Sequence, residues 1–126
     1  MLFINVPKQL LNMVYLDPSE IISQKILPSF RKELVLRLSR TMARKDIAVA
    51  LDLTPVAIHY YLKGLRGNSF EFNTDELEFI GNLEMKFIEK RDIFAIKTGF
   101  KKLVDMLYLN HRICHICGGK NCSCRF

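Results

Sequence analysis

RKDIAVALDLTPVAIHYYLKG, residues 44–64, is the stretch on which the fold turns. Ile47, Ala48 and Leu51 recur at helical spacing, so RKDIAVAL forms one short helix with those three facing inward. Asp52 and Leu53 then make a tight turn. Thr54 caps a second helix, PVAIHYYL, with Pro55 in its first turn and Gly64 just past its end. The predicted pattern is a helix-turn-helix over 44–63. Ala48 has to be small because the two helices cross there, Leu53 and Ile58 fill the angle between them, and Tyr61 and Leu62 anchor the second helix from beneath. The turn position held by Asp52 prefers positive φ and usually carries glycine; aspartate tolerates that conformation better than most residues.

What this arrangement leaves outside is Thr54, Pro55, Val56, His59 and Tyr60. A second helix of this kind presents those positions to base edges in a major groove, with His59 and Tyr60 as polar readers and apolar contacts to thymine methyls. Arg44, Lys45, Lys63 and Arg66 flank it and suit phosphates, which set position and salt dependence rather than sequence. The bland alternative is a helix pair used only for packing or for binding protein.

Upstream, LPSFRKELVLRLSR (27–40) keeps Phe30, Leu34, Val35 and Leu38 at helical spacing, and Arg31, Lys32, Arg37 and Arg40 are expected to point away from that face. Pro28 is expected to restart the chain. Before it, Leu10, Leu11, Val14 and Tyr15 suggest a helix, and Asp17 with Pro18 suggests a capped start for a turn that packs Ile21, Ile22 and Ile26 inward. Downstream, Asn73 and Glu76 read as a capping box for a helix with Leu77, Ile80, Leu83, Phe87 and Ile88 on one side. A further helix offers Ile93, Phe94, Ile96, Phe100, Leu103, Val104, Leu107 and Tyr108. These aromatic-rich helices read as packing surfaces: both complete the core, or one closes a homodimer, since half-sites on DNA are commonly read by two-fold dimers.

The fold expected is therefore all-α. It comprises a helical domain over 1–68, a packing or dimerisation region over 69–110 and a cysteine-rich tail over 111–126. At 126 residues and 49% hydrophobic content the chain can fill a core. No apolar run is long enough to cross a bilayer, and the start of the chain lacks the basic flank and small-residue site of a signal peptide, so a cytoplasmic protein is expected. The net charge of +6 is concentrated in 28–68 and 94–126, on either side of an acidic segment. That distribution suits a polyanion such as double-stranded DNA, or simply a solvated face. There is no Ser–His–Asp pattern, phosphate loop or pair of carboxylates flanked by glycines, so neither an enzyme nor a small-molecule substrate is expected.

The residues LPSFRKELVLRLSR and RKDIAVALDLTPVAIHYYLKGLRG together resemble the archaeal predicted transcription regulators with a helix-turn-helix of the phage-repressor (xenobiotic-response-element) type. The likeness spans residues 25–68. It implies a DNA-binding regulator, with Thr54 at the helix cap and the DNA-reading positions held by Pro55, Val56, His59 and Tyr60. Pro55 and His59 stand where that family carries polar Gln and Ser. Members of the family often carry a C-terminal cysteine cluster as well.

All four cysteines of this chain, Cys114, Cys117, Cys122 and Cys124, lie in ICHICGGKNCSCRF (113–126). In a reducing compartment such a cluster is a metal-ligand set more readily than a disulfide framework. Gly118 and Gly119 let the loop bend, Arg112, Lys120 and Arg125 would offset thiolate charge, and His111 and His115 are expected beside the ligands rather than among them. Compact four-cysteine loops after a helix-turn-helix resemble those of iron–sulfur redox-sensing regulators, so an iron–sulfur cluster is the leading expectation. Zn2+ is the alternative, although a structural zinc site is ordinarily built from two knuckles farther apart. Two other readings stay open: a small electron-transfer or cluster-carrier protein, and a zinc-stabilised adaptor.

Overall fold

Pro18 opens the first helical turn, as its fixed φ and missing N–H favour. The computed structural model describes residues 18–113, and every regular element among them is helical. The order is α1 (Pro18–Ile21), a π-helical segment (Ile22–Ile26), α2 (Leu27–Leu38), α3 (Arg44–Leu51), α4 (Pro55–Leu62), α5 (Thr74–Lys90) and α6 (Ile93–Leu109). The helix expected around Leu10, Leu11, Val14 and Tyr15, and its cap at Asp17, lie outside the described residues. No helix among the described residues is long and apolar enough to cross a membrane.

Pro28 does not restart the chain. The backbone stays helical through Ile26 (φ −76°, ψ −48°) and Leu27 (φ −61°, ψ −46°). An unbroken α-helix would bring the Pro28 ring against the carbonyl four residues earlier and leave that carbonyl without its donor. The chain widens instead: the Leu27 N–H donates to the Ile22 carbonyl, five residues back. One wide turn thus carries α1 into α2.

Two apolar clusters hold these helices. The larger draws Phe30, Leu34, Val35 and Leu38 from α2, Ile47 and Ala48 from α3, and Ala57, Ile58 and Tyr61 from α4. Ile80, Leu83 and Phe87 from α5, with Ile96 and Leu103 from α6, complete it. Each such Ile, Leu or Phe contributes about 1.5–3 kcal/mol by leaving water. The smaller cluster gathers Ile21, Ile26, Leu107 and Ile113, so the start and the end of the described chain pack together. Phe94, offered among the packing residues of α6, is 71% exposed. It sits in the first turn of α6 beside its Asp92 cap, ahead of the buried Ile96.

The helix α5 begins as its sequence says. Asn73 Oδ1 accepts from the Glu76 N–H at 2.9 Å, and Glu76 Oε1 accepts from the Asn73 N–H at 3.0 Å. Where α5 meets α6 a glycine sets the approach: a Cβ on Gly99 would lie 2.3 Å from Leu83 Cδ2. Arg37 does not point away. Its Nη1 lies 3.8 Å from Glu84, its Nε 3.5 Å from Glu33, and its Nη2 donates to the Leu77 carbonyl at 3.4 Å. Gly81 leaves room for that guanidinium against α5.

Candidate nucleic-acid interface

The turn between α3 and α4 is fixed by backbone hydrogen bonds. Asp52 adopts the left-handed conformation (φ 54°, ψ 48°). This lets the Leu53 N–H reach the Ala48 carbonyl at 2.8 Å and the Asp52 N–H reach the Val49 carbonyl at 3.3 Å. The pair of bonds is a Schellman closure, built here on aspartate instead of glycine. Thr54 then starts α4, its Oγ1 accepting from the Ala57 N–H at 3.1 Å. At the far end the same closure recurs on Gly64 (φ 73°): the Leu65 N–H donates to the Tyr60 carbonyl and the Gly64 N–H to the Tyr61 carbonyl.

Burial fixes how α4 is rotated. Ala57, Ile58 and Tyr61 are buried, and Tyr61 is only 2% exposed despite its size. The opposite face carries Thr54, Pro55, Val56, His59 and Tyr60, all exposed. The imidazole of His59 and the ring of Tyr60 lie 6.0 Å apart, and the Arg66 guanidinium stands 5.6 Å from the Tyr60 ring and 5.9 Å from the Tyr61 ring. Arg66, although beyond the helix, is thereby brought back against the exposed face, a cation–aromatic contact worth ~0.5–1 kcal/mol at such exposure.

Arg44, Lys45 and Lys63 are exposed as well. The ion pairs among the described residues involve Arg37 and Arg112, so none of the four flanking cations is neutralised by a carboxylate there. Arg44 and Lys45 open α3, whose cap residue, Ala43, supplies no side-chain acceptor. Two cations at a helix N-terminus work against its dipole at a cost of ~0.3–1 kcal/mol each, and Asp46 in the same first turn offsets part of that cost. The structure thus brings the sequence-derived residues to one side of α4 and to the start of α3.

The four expected metal ligands, Cys114, Cys117, Cys122 and Cys124, lie outside the described residues, as do His115, Gly118, Gly119, Lys120 and Arg125. Among the described residues no group of three or more His, Cys, Asp or Glu is placed to hold a metal ion. His111 is exposed, with φ 57°, and closes α6 as Asp52 closes α3.

Arg112 has a different occupation from the one expected. Its Nε donates to Glu76 Oε2 at 2.9 Å, and its Nη2 donates to Glu76 Oε1 at 3.1 Å and to the Glu71 carbonyl at 2.6 Å. Its guanidinium lies 5.1 Å over the Phe70 ring. The carboxylate it grips is fully buried, so the charge of Arg112 is committed to Glu76. A second tie reaches the same loop: buried Ser29 donates to the Lys25 carbonyl and accepts from the Phe70 N–H, at 2.8 and 3.2 Å. Sequence reasoning missed both ties, because each joins segments far apart in the chain.

Comparison with protein-family models, with curated proteins and with solved structures returns no match.

Proposed function

We propose that this chain is a DNA-binding transcriptional regulator in which α3 and α4 form a helix-turn-helix. In this reading α4 enters the major groove of double-stranded DNA. Thr54, Pro55, Val56, His59 and Tyr60 face the bases, while Arg44, Lys45, Lys63 and Arg66 hold phosphates. The observation that carries it is the exposed face of α4: Thr54, Pro55, Val56, His59 and Tyr60 stand out on a helix locked to the core from behind, with the Arg66 guanidinium 5.6 Å from the Tyr60 ring. A helix used only for packing has no use for a face of that kind with a cation held against it that lacks a carboxylate partner among the described residues.

Cys114, Cys117, Cys122 and Cys124 supply four thiolates for an iron–sulfur cluster that reports redox or iron state, with Zn2+ as the alternative occupant in a purely structural role. The regulator acts as a homodimer on paired half-sites.

Selection of duplexes from a randomised library tests the DNA reading. An enriched motif that binds wild-type protein and loses affinity at least tenfold with Tyr60→Ala and Arg66→Ala, at unchanged metal content, supports it. No enrichment, with both variants behaving as wild type in every binding assay, overturns it in favour of a protein-binding adaptor. Visible absorption with iron, sulfide and zinc analysis on protein purified without oxygen decides the cofactor: absorbance at about 400 nm with bound iron indicates a cluster. A colourless protein with one zinc per chain indicates a structural tail.

A further inference from the structure

At the C-terminal end of α4 lies an open groove of about 420 Å³, lined by Gln24 of the π-helical segment, Pro28 and Arg31 of α2, Tyr61 of α4, and the loop from Leu65 to Ser69. Its position follows from local geometry. Gly67 (φ 85°) packs so tightly on α2 that a Cβ there would lie 2.7 Å from Lys32 Cβ and from the Pro28 carbonyl. Lys32 Nζ donates to Asn68 Oδ1, and the Asn68 amide donates to the Gly64 carbonyl, so the loop is pinned from both sides.

The lining residues include two arginines, Arg31 and Arg66, and no aspartate or glutamate. Among the described residues neither arginine has an ion-pair partner. The N–H groups of Gly67, Asn68 and Ser69 likewise find no backbone or side-chain acceptor there, whereas that of Phe70, next along, is taken by Ser29. Successive N–H groups on a chain turned by a left-handed glycine make a concavity suited to an anion. Arg66 joins the groove to the exposed face of α4 through its contact with Tyr60.

We infer that this groove is a phosphate subsite that takes one phosphodiester of the DNA backbone beside the bases read by α4, with Arg31 and Arg66 as its cations and the 67–69 backbone as its neutral donors. This rests on the DNA-binding reading above and adds Arg31, Gln24 and the loop amides to the contact set. A phosphodiester carries a single negative charge on two free oxygens, which two guanidiniums and a few N–H groups can satisfy together. Arg31 contributes affinity and salt dependence, not sequence preference.

The test uses full-length protein and a mixed-sequence duplex, for which binding is electrostatic. Affinity is measured across a salt series for wild type and Arg31→Gln, with unfolding midpoints showing that both are folded. The slope of log K against log salt is expected to become shallower by ~0.9, the share of one neutralised phosphate. In parallel, the amide resonances of residues 67–69 in wild-type protein are followed while the duplex, or inorganic phosphate, is added. Shifts with duplex together with the shallower slope support the subsite. Duplex binding with an unchanged slope and unmoved amides overturns it and leaves the regulator reading standing. Shifts with inorganic phosphate and no duplex binding overturn it in favour of a small-anion site. No binding of any duplex overturns the regulator reading itself, and the backbone subsite with it.

Discussion

Replacing Arg112 by alanine leaves the Glu76 carboxylate fully buried with one remaining donor in view, the Asn73 N–H at 3.0 Å. The bonds lost are the two to the carboxylate, at 2.9 and 3.1 Å, and the one to the Glu71 carbonyl, at 2.6 Å. Removing one partner of a buried pair costs ~3–5 kcal/mol, because the other charge stays behind without compensation. The Arg112 side chain is still 20% exposed, so water reaches the pair from one side and the lower end applies. The expected loss is about 3 kcal/mol, or about 10–15 °C in Tm for a domain of this size. Urea unfolding followed by helical circular dichroism measures it, with an unchanged m-value showing that the unfolded state is not what moved.

Glu76→Gln separates charge from capping. The amide oxygen still accepts from the Asn73 N–H, so the loss should be smaller, about 1–2 kcal/mol. In the double variant the two losses should fall short of their sum by about 1–2 kcal/mol, the signature of a direct pair. An Arg112→Ala loss below about 1 kcal/mol, the ordinary value of an exposed ion pair, would refute the reasoning and mean that the C-terminal end of α6 is not clasped to α5.

Gly99→Ala drives a Cβ into Leu83 and should destabilise by about 1–3 kcal/mol in the same urea assay, less than additively with Leu83→Ala. Thr54→Ala removes the acceptor for the Ala57 N–H and should cost about 1 kcal/mol, read as a lower Tm. Asp52→Gly relieves a left-handed aspartate in the turn between α3 and α4, and thermal melting should show a gain of about 0.5–1 kcal/mol.

Legibility from sequence followed the range of the interaction. Thr54, Asp52 and Gly64 act on backbone groups within a few residues, and so does the Asn73–Glu76 capping box; each is a local statement that residue type alone can make. The exposed face of α4 was readable for the same reason, since its rotation follows from the spacing of Ile58, Tyr61 and Leu62. Pro28 was misread because a proline inside a helix has two outcomes, a break or a widened turn, and the packing of Ile21 and Ile26 against Leu107 and Ile113 accompanies the second. Arg37 was misread because a cation on a helix looks solvated until a distant carboxylate is known to face it, and for the same reason Arg112, expected to offset thiolate charge, was not seen to pair with Glu76. The Arg112–Glu76 bond spans 36 residues, and no local pattern announces it. Nor does Gly99 declare Leu83, since a helix crossing is a property of two segments.

The loop between α4 and α5 is where these long-range ties converge. One end carries Arg66, stacked near Tyr60 on the exposed face of α4. Its middle is held to α2 through Gly67 and Asn68, and to Ser29 through the Phe70 N–H. Its other end, at Phe70, Glu71 and the Asn73–Glu76 box, is held by Arg112, two residues before Cys114. The loop backbone, with these ties along it, therefore connects Arg112 at the root of the cysteine tail to the side of α4 proposed to read bases. Contact of this kind carries information only if some element in it has two arrangements of similar free energy. The Arg112 clasp, beside the packing of Ile113 in the smaller cluster, sits next to the proposed metal ligands in sequence, and by the estimate above it is worth about 3 kcal/mol. Releasing it loosens the Glu71 end of the loop while the Gly67 and Ser29 ties remain. The expected consequence is a graded change in how Arg66 supports Tyr60, and not the loss of α4, because the core beneath Ile58 and Tyr61 does not depend on Arg112.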